Sequence, residues 1–129
     1  MEGRDKMEID KLKADYLSWL AGQTSFNPWS ETVFQVETEL VDAYGRKPFV
    51  LVEKSGDKYT VTDDGSLMYK YNPLEENEEL NEYAAGMIMD VGFDFDEDHA
   101  VIYNEVSEEA LPGAINALLQ LEIVLSFIA

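Results

Sequence analysis

The last nineteen residues, LPGAINALLQLEIVLSFIA (111–129), constrain the fold more than any other stretch. Pro112 suits the first turn of a helix and not its interior, so a helix is expected to begin there. Ser107 is placed to cap the turn just before it. Pro112, Asn116, Gln120 and Glu122 interrupt the apolar run, which argues against a membrane span. Asn116 and Gln120 lie one helical turn apart and supply a single polar line. A helix with so much apolar surface must be covered, either by its own domain or by another chain.

The residues upstream offer strands to cover it. ETVFQVETEL (31–40) alternates, with Phe34, Val36, Thr38 and Leu40 on one face, the pattern of a half-buried strand. FVLVEK (49–54) and KYTVT (58–62) flank Ser-Gly-Asp and form a hairpin signal. Asp64-Gly65 is a second turn signal, after which Leu67, Tyr69 and Tyr71 suggest a short returning strand, with a helical turn as the competing reading. Two amphipathic helices complete the set. In MEIDKLKADYLSWLAG (7–22), Ile9, Leu12, Tyr16, Trp19 and Leu20 form one apolar face. In EENEELNEYAAGMIMDV (75–91), Leu80, Tyr83, Ala84, Met87, Ile88 and Val91 form a stripe, and Gly92 is placed to end the helix. TSFNPWS (24–30) breaks the pattern through Asn27-Pro28. Trp19 and Trp29 are expected to pack in or at the edge of the core.

The expected fold is therefore α+β. It is a mostly antiparallel sheet of hairpins bracketed by an N-terminal helix, a central acidic helix and an apolar C-terminal helix. Residues 1–129 are expected to form a single compact domain, with 1–6 as a loose lead-in. With 129 residues and 46% hydrophobic side chains, the chain is long enough to bury a core.

Charge limits the partners. The net charge is −18, and all nine Lys and Arg lie at or before Lys70. From Tyr71 onward there are fourteen acids and no base, which places −14 there and leaves −4 on the first seventy residues. Such a surface repels the phosphates of DNA and RNA and is disfavoured on anionic membranes. A basic partner is favoured, with acidity that merely maintains solubility as the plainer explanation. The chain has no cysteine, so thiolate chemistry is excluded and a reducing, cytoplasmic compartment is expected.

The densest acidic stretch, DFDEDHAVIYNE (94–105), places Asp94, Asp96, Asp98 and Glu105 at positions 1, 3, 5 and 12 of a calcium loop. The match fails elsewhere. His99 occupies the position that needs glycine, Ile102 replaces a polar group, and Pro112 would fall inside the outgoing helix. A hairpin with its tip at DEDH fits better, because AVIYNEV (100–106) is rich in β-branched and aromatic residues. His99 is the only histidine, so no His-based zinc site can form. Asp63, Asp64 and Glu53 remain a conceivable divalent-metal trio, although turn chemistry already accounts for Asp-Gly. No phosphate loop, nucleophile elbow or dinucleotide fingerprint occurs. No catalytic residue, metal or cofactor is expected.

Tyr16, Leu17, Trp19 and Leu20 form a Y-L-x-W-L helix, and Thr62 to Gly65 form a T-D-D-G turn. With the strands, acidic helix, hairpin and terminal helix in this order, the chain resembles an uncharacterised domain family of bacteria, phages and prophages over residues 9–128. The chain differs from that family in lacking any base after Lys70 and in carrying SLMYKYNP where a helical segment is usual. The resemblance implies a mobile-element context and brings no catalytic residues with it.

The expectation that follows is an acidic, phage-type interaction protein in the host bacterial cytoplasm. It would mimic DNA and inhibit a basic nucleic-acid-binding defence nuclease, as an anti-CRISPR or anti-restriction protein does. Carboxylates standing in for phosphates would engage its arginines. The expected contact residues are Glu75, Glu76, Glu78, Glu79 and Glu82 on the acidic helix, with Asp96, Glu97, Asp98, Glu108 and Glu109. The alternatives are a structural module that dimerises through the C-terminal helix, and a metal-dependent enzyme using Asp63, Asp64 and Glu53.

Overall fold

Six strands form one antiparallel sheet in the computed structural model, which describes residues 7–64, 78–96 and 101–127. In chain order the elements are α1 (Ile9–Gln23), β1 (Ser25–Pro28), β2 (Val33–Glu37), β3 (Phe49–Ser55), β4 (Lys58–Thr62), α2 (Glu78–Asp90), β5 (Asp94–Asp96), β6 (Val101–Val106) and α3 (Leu111–Ser126). Across the sheet the order is β1-β2-β3-β4-β6-β5. The α+β class and the three bracketing helices match the sequence expectation. The returning strand expected around Leu67–Tyr71 lies outside the described residues, as does the DEDH tip.

Hairpin chemistry sets the centre of the sheet. β3 and β4 meet through Gly56-Asp57, with Ser55 opposite Lys58, and Gly56 has φ +64°, as the first position of a primed two-residue turn requires. β1 is an addition to the expectation. Pro28 has no N–H to donate, which only an edge strand tolerates, and here it ends the outermost strand opposite Phe34.

One face of the sheet carries Phe34, Val36, Val50, Val52, Val61 and Ile102. Two helices close most of it. α3 lies across β3 and β4 and reaches β6, while α2 packs against β5 and α3. The core joins Val50, Val52, Val61 and Ile102 to Ala84, Ile88 and Phe93 and to Leu118, Leu119, Leu121 and Leu125 of α3. Each of these Val, Ile, Leu and Phe side chains contributes about 1.5–3 kcal/mol of burial. The C-terminal helix is therefore covered chiefly by its own domain. Its polar line, Asn116 and Gln120, faces out. Ser107 Oγ accepts from Ala110 N–H at 3.3 Å in the turn before the helix.

α2 buries a narrower stripe than its sequence suggests. Ala84 and Ile88 are inside, while Tyr83 and Val91 are exposed. Its end is a Schellman arrangement: Gly92, at φ +86°, donates to Met89 O, and Phe93 N–H donates to Ile88 O at 3.0 Å.

α1 departs from the expected packing. It has no buried residue, and Trp19 and Trp29 are 57% and 58% exposed, not part of the core. The reason is its connection. Thr24 alone, in extended conformation, separates the helix from β1, and connections that turn a helix back onto a sheet need about two to six residues.

Candidate interaction surface

The acidic residues singled out in the sequence fall into four groups. Glu82 on α2, and Glu108 and Glu109 in the turn before α3, are exposed. Asp96 is half-buried at the end of β5, opposite Val101. Glu78 and Glu79 lie in the first turn of α2, where the helix dipole favours negative charge. Glu75, Glu76, Glu97 and Asp98 lie outside the described residues. Packing of α2 against β5 joins the acidic helix to the acidic hairpin. Asp90 and Asp94, at the far end of α2 and the start of β5, are exposed too.

Two of the described bases are paired with acids of the N-terminal half, and Lys58, next to Tyr59 opposite Val106, lies beside the turn that carries Glu108 and Glu109. Lys11 pairs with Asp15 on α1 at 2.9 Å, and Lys47 pairs with Glu39 before β3 at 2.9 Å. The Lys47 ammonium is held above its usual range, first by the hydrogen bond to Glu39 and then by that residue's charge. Lys54 and Lys58 sit at the β3–β4 turn, where Lys54 is opposite Tyr59.

Thr62, Asp63 and Asp64 are held by hydrogen bonds at the end of β4. Asp63 is fully buried. Its N–H donates to Ile102 O at 3.2 Å, and its Oδ1 accepts from Ile102 N–H at 2.9 Å. The side chain thus extends the β4–β6 ladder by one step. Thr62 Oγ1 adds a bond to Ile102 O at 2.8 Å and accepts from Asp64 N–H at 3.0 Å. Asp64 takes the left-handed conformation at φ 53°, as the expected turn requires.

The metal trio is not assembled. Glu53 is opposite Thr60 and exposed. Asp63 lies three positions beyond Thr60 and opposite Ile102, so strand alternation places it on the other face. Among the described residues no group of three or more His, Cys, Asp or Glu side chains is placed to hold a metal ion.

A buried acid pair takes its place, and sequence reasoning missed it. Glu122 on α3 is 3% exposed, and neither carboxyl oxygen has a hydrogen-bond partner among the described residues. Burial, then Asp63, then Asp42 push its pKa well above the usual carboxylate range, which favours the protonated form. One turn on, the Ser126 hydroxyl accepts from Ala43 N–H at 2.8 Å and donates to Ile123 O at 2.6 Å. That bond ties the β2–β3 loop to the end of α3. Asp42 shapes the same loop by accepting from Tyr44 and Arg46 N–H at 2.8 and 3.0 Å. The signal in the sequence was one acid between Leu121 and Ile123 in a helix apolar on most sides.

No described helix is long and apolar enough to cross a membrane. Comparison with family models, with curated proteins and with solved structures finds no match.

Proposed function

We propose that the protein is a non-catalytic acidic interaction protein that docks on a basic, nucleic-acid-binding surface of another protein. The observation that supports this most is the segregation of charge. Fourteen acids and no base follow Lys70, and Glu82, Asp90, Asp94, Glu105, Glu108 and Glu109 among them are exposed. The carboxylates would take the places of phosphates against arginine and lysine side chains. The partner class is a nucleic-acid-binding defence nuclease in a bacterial cytoplasm, with inhibition arising from occupation of its groove. The mobile-element resemblance of the Y-L-x-W-L and T-D-D-G motifs supports that setting.

Affinity capture from a bacterial lysate, followed by elution with duplex DNA, tests this reading. A nucleic-acid-binding protein released by DNA and by salt is the expected result. Complexes indifferent to both would overturn it. Glu108→Lys with Glu109→Lys should weaken capture while leaving the unfolding midpoint almost unchanged, because both side chains are exposed.

A further inference from the structure

Glu122 is buried, and neither of its carboxyl oxygens is hydrogen-bonded within the described residues. The parts of the molecule around it are held to different degrees. Asp63, at the end of β4, is fixed by the bonds of its N–H and Oδ1 to Ile102, at 3.2 and 2.9 Å. α3 itself is anchored in the core by Leu118, Leu121 and Leu125. The β2–β3 loop, which carries Asp42, is tied to α3 where Ala43 N–H donates to Ser126 Oγ at 2.8 Å. Ser126 lies four residues after Glu122 and so on the same side of the helix. Every side chain from 39 to 47 is exposed except Asp42, which is half-buried. The loop therefore has little to lose by moving.

The elements packed against α3 are β3, β4, β6 and α2. They turn apolar side chains to this core, with Tyr59 the one phenol among them, and a phenol stays neutral to about pH 10. Their described charges, Glu53, Lys54, Lys58, Glu82, Asp90 and Glu105, are exposed. The acids that oppose a charge on Glu122 are Asp63 and Asp42.

We infer that Glu122 is a proton-operated latch: protonated, it lets the β2–β3 loop close on the end of α3, and ionised, it drives the loop off Ser126. A buried carboxylate beside two aspartates needs water or a cation. Asp63 cannot yield without breaking the β4–β6 ladder, and α3 cannot yield without emptying the core. The loop can. Its turn is closed by its own bonds: Asp42 N–H donates to Arg46 O at 2.7 Å, and Asp42 Oδ1 accepts from Tyr44 and Arg46 N–H. It therefore lifts as a unit, admits water to Glu122 and carries the charge of Asp42 away. Burial and the two acids hold the Glu122 proton to a pH above the usual carboxylate range. The latch is thus closed in acid and opens as pH rises. None of these residues belongs to the proposed docking surface, so the latch and that reading fail independently.

Amide hydrogen exchange of the full chain tests the latch, with each rate corrected for its intrinsic pH dependence. Protection of Ala43 N–H should fall about tenfold per pH unit above about pH 4.3, the hydrated carboxyl value, until the raised value is reached. Because the opening is local, that protection should be insensitive to low urea, while the slower exchange of Val61 N–H in β4 should respond to it. Glu122→Gln should make Ala43 protection independent of pH. Asp42→Asn keeps the acceptor of the turn, removes one opposing charge and should shrink the fall, which gives a second reading if Glu122→Gln does not fold. Ala43 protection that is flat with pH in the wild type overturns the latch. So does a fall that persists in Glu122→Gln or is undiminished in Asp42→Asn. Exchange of Ala43 with the urea dependence of Val61 also overturns it, since the loop then opens only when the whole chain unfolds.

Discussion

α1 and α3 are both apolar-faced helices attached to strands of one sheet, and only one of them is inside. α3 follows β6 across Ser107 to Ala110, four residues that turn the chain back over β3 and β4. α1 precedes β1 across Thr24 alone and points away. Amphipathicity states that a helix has something to bury. The length of its connection decides whether its own sheet can receive it.

The comparison breaks most sharply in the two helix interiors. Leu118→Ala on α3 removes a fully buried side chain and should cost about 2–5 kcal/mol. Leu12→Ala on α1, 55% exposed, should change stability by less than about 0.5 kcal/mol. Urea unfolding followed by far-UV circular dichroism measures both. A large loss at Leu12 would mean that α1 already packs on its own body.

The next effect is at the sheet beneath α3. Asp63→Ala leaves the buried Ile102 N–H without its 2.9 Å acceptor and should cost about 1–3 kcal/mol. Asp63→Asn keeps an acceptor and should cost less, while removing the charge that acts on Glu122. Equal losses in the two variants would show that charge, and not the bond to Ile102, is what matters at this position.

Glu122 gives α3 a pH dependence that α1 lacks. A carboxyl whose pKa is raised on folding holds its proton in the native state and loses it in the unfolded chain. Its contribution is fully present below the unfolded pKa of about 4.3 and is lost as pH rises towards the raised folded value. The groups that oppose its ionisation are Asp63 at the end of β4 and Asp42 in the β2–β3 loop. Across that window stability should fall with a slope of up to about 1.4 kcal/mol per pH unit from this group. Glu122→Gln should flatten the profile relative to wild type, measured as urea midpoints from acid to neutral pH. Parallel profiles would show that Glu122 is ionised in the folded protein.

Most of these elements are visible in the sequence. β2 and β6 follow from alternation, α2 from three-four spacing, β3 and β4 from their hairpin signal and α3 from Pro112 and its apolar run, while Gly56, Asp64 and Gly92 follow from turn and cap chemistry. β1 was invisible because four residues containing Asn27-Pro28 carry no strand signal, and it exists only as the edge partner of β2. The exposed acids Glu82, Glu108 and Glu109 were legible as surface. The Asp63–Glu122 pair was not. Its two members are 59 positions apart, and only the register that sets Asp63 opposite Ile102 under α3 brings them together. The docking of a helix is likewise nonlocal, which is why the stripe on α1 read as core.

The smallest effect separates the two helices by time rather than by free energy of the whole. A 15-residue helix without tertiary contacts is marginal in water, and α1 has little local support. Its Lys11–Asp15 pair, 2.9 Å apart on an exposed face, is worth about 0.2–0.5 kcal/mol. Its lysine lies N-terminal to the acid, the weaker order for such a pair. Its N-cap position, Glu8, makes no side-chain capping bond. In dilute solution α1 amides should therefore exchange with deuterium by local fraying, while those of Leu118 to Leu125 exchange only with global unfolding. Lys11→Ala should quicken α1 exchange slightly and leave α3 unchanged. Protection in α1 equal to that in α3 would erase the contrast between the two helices.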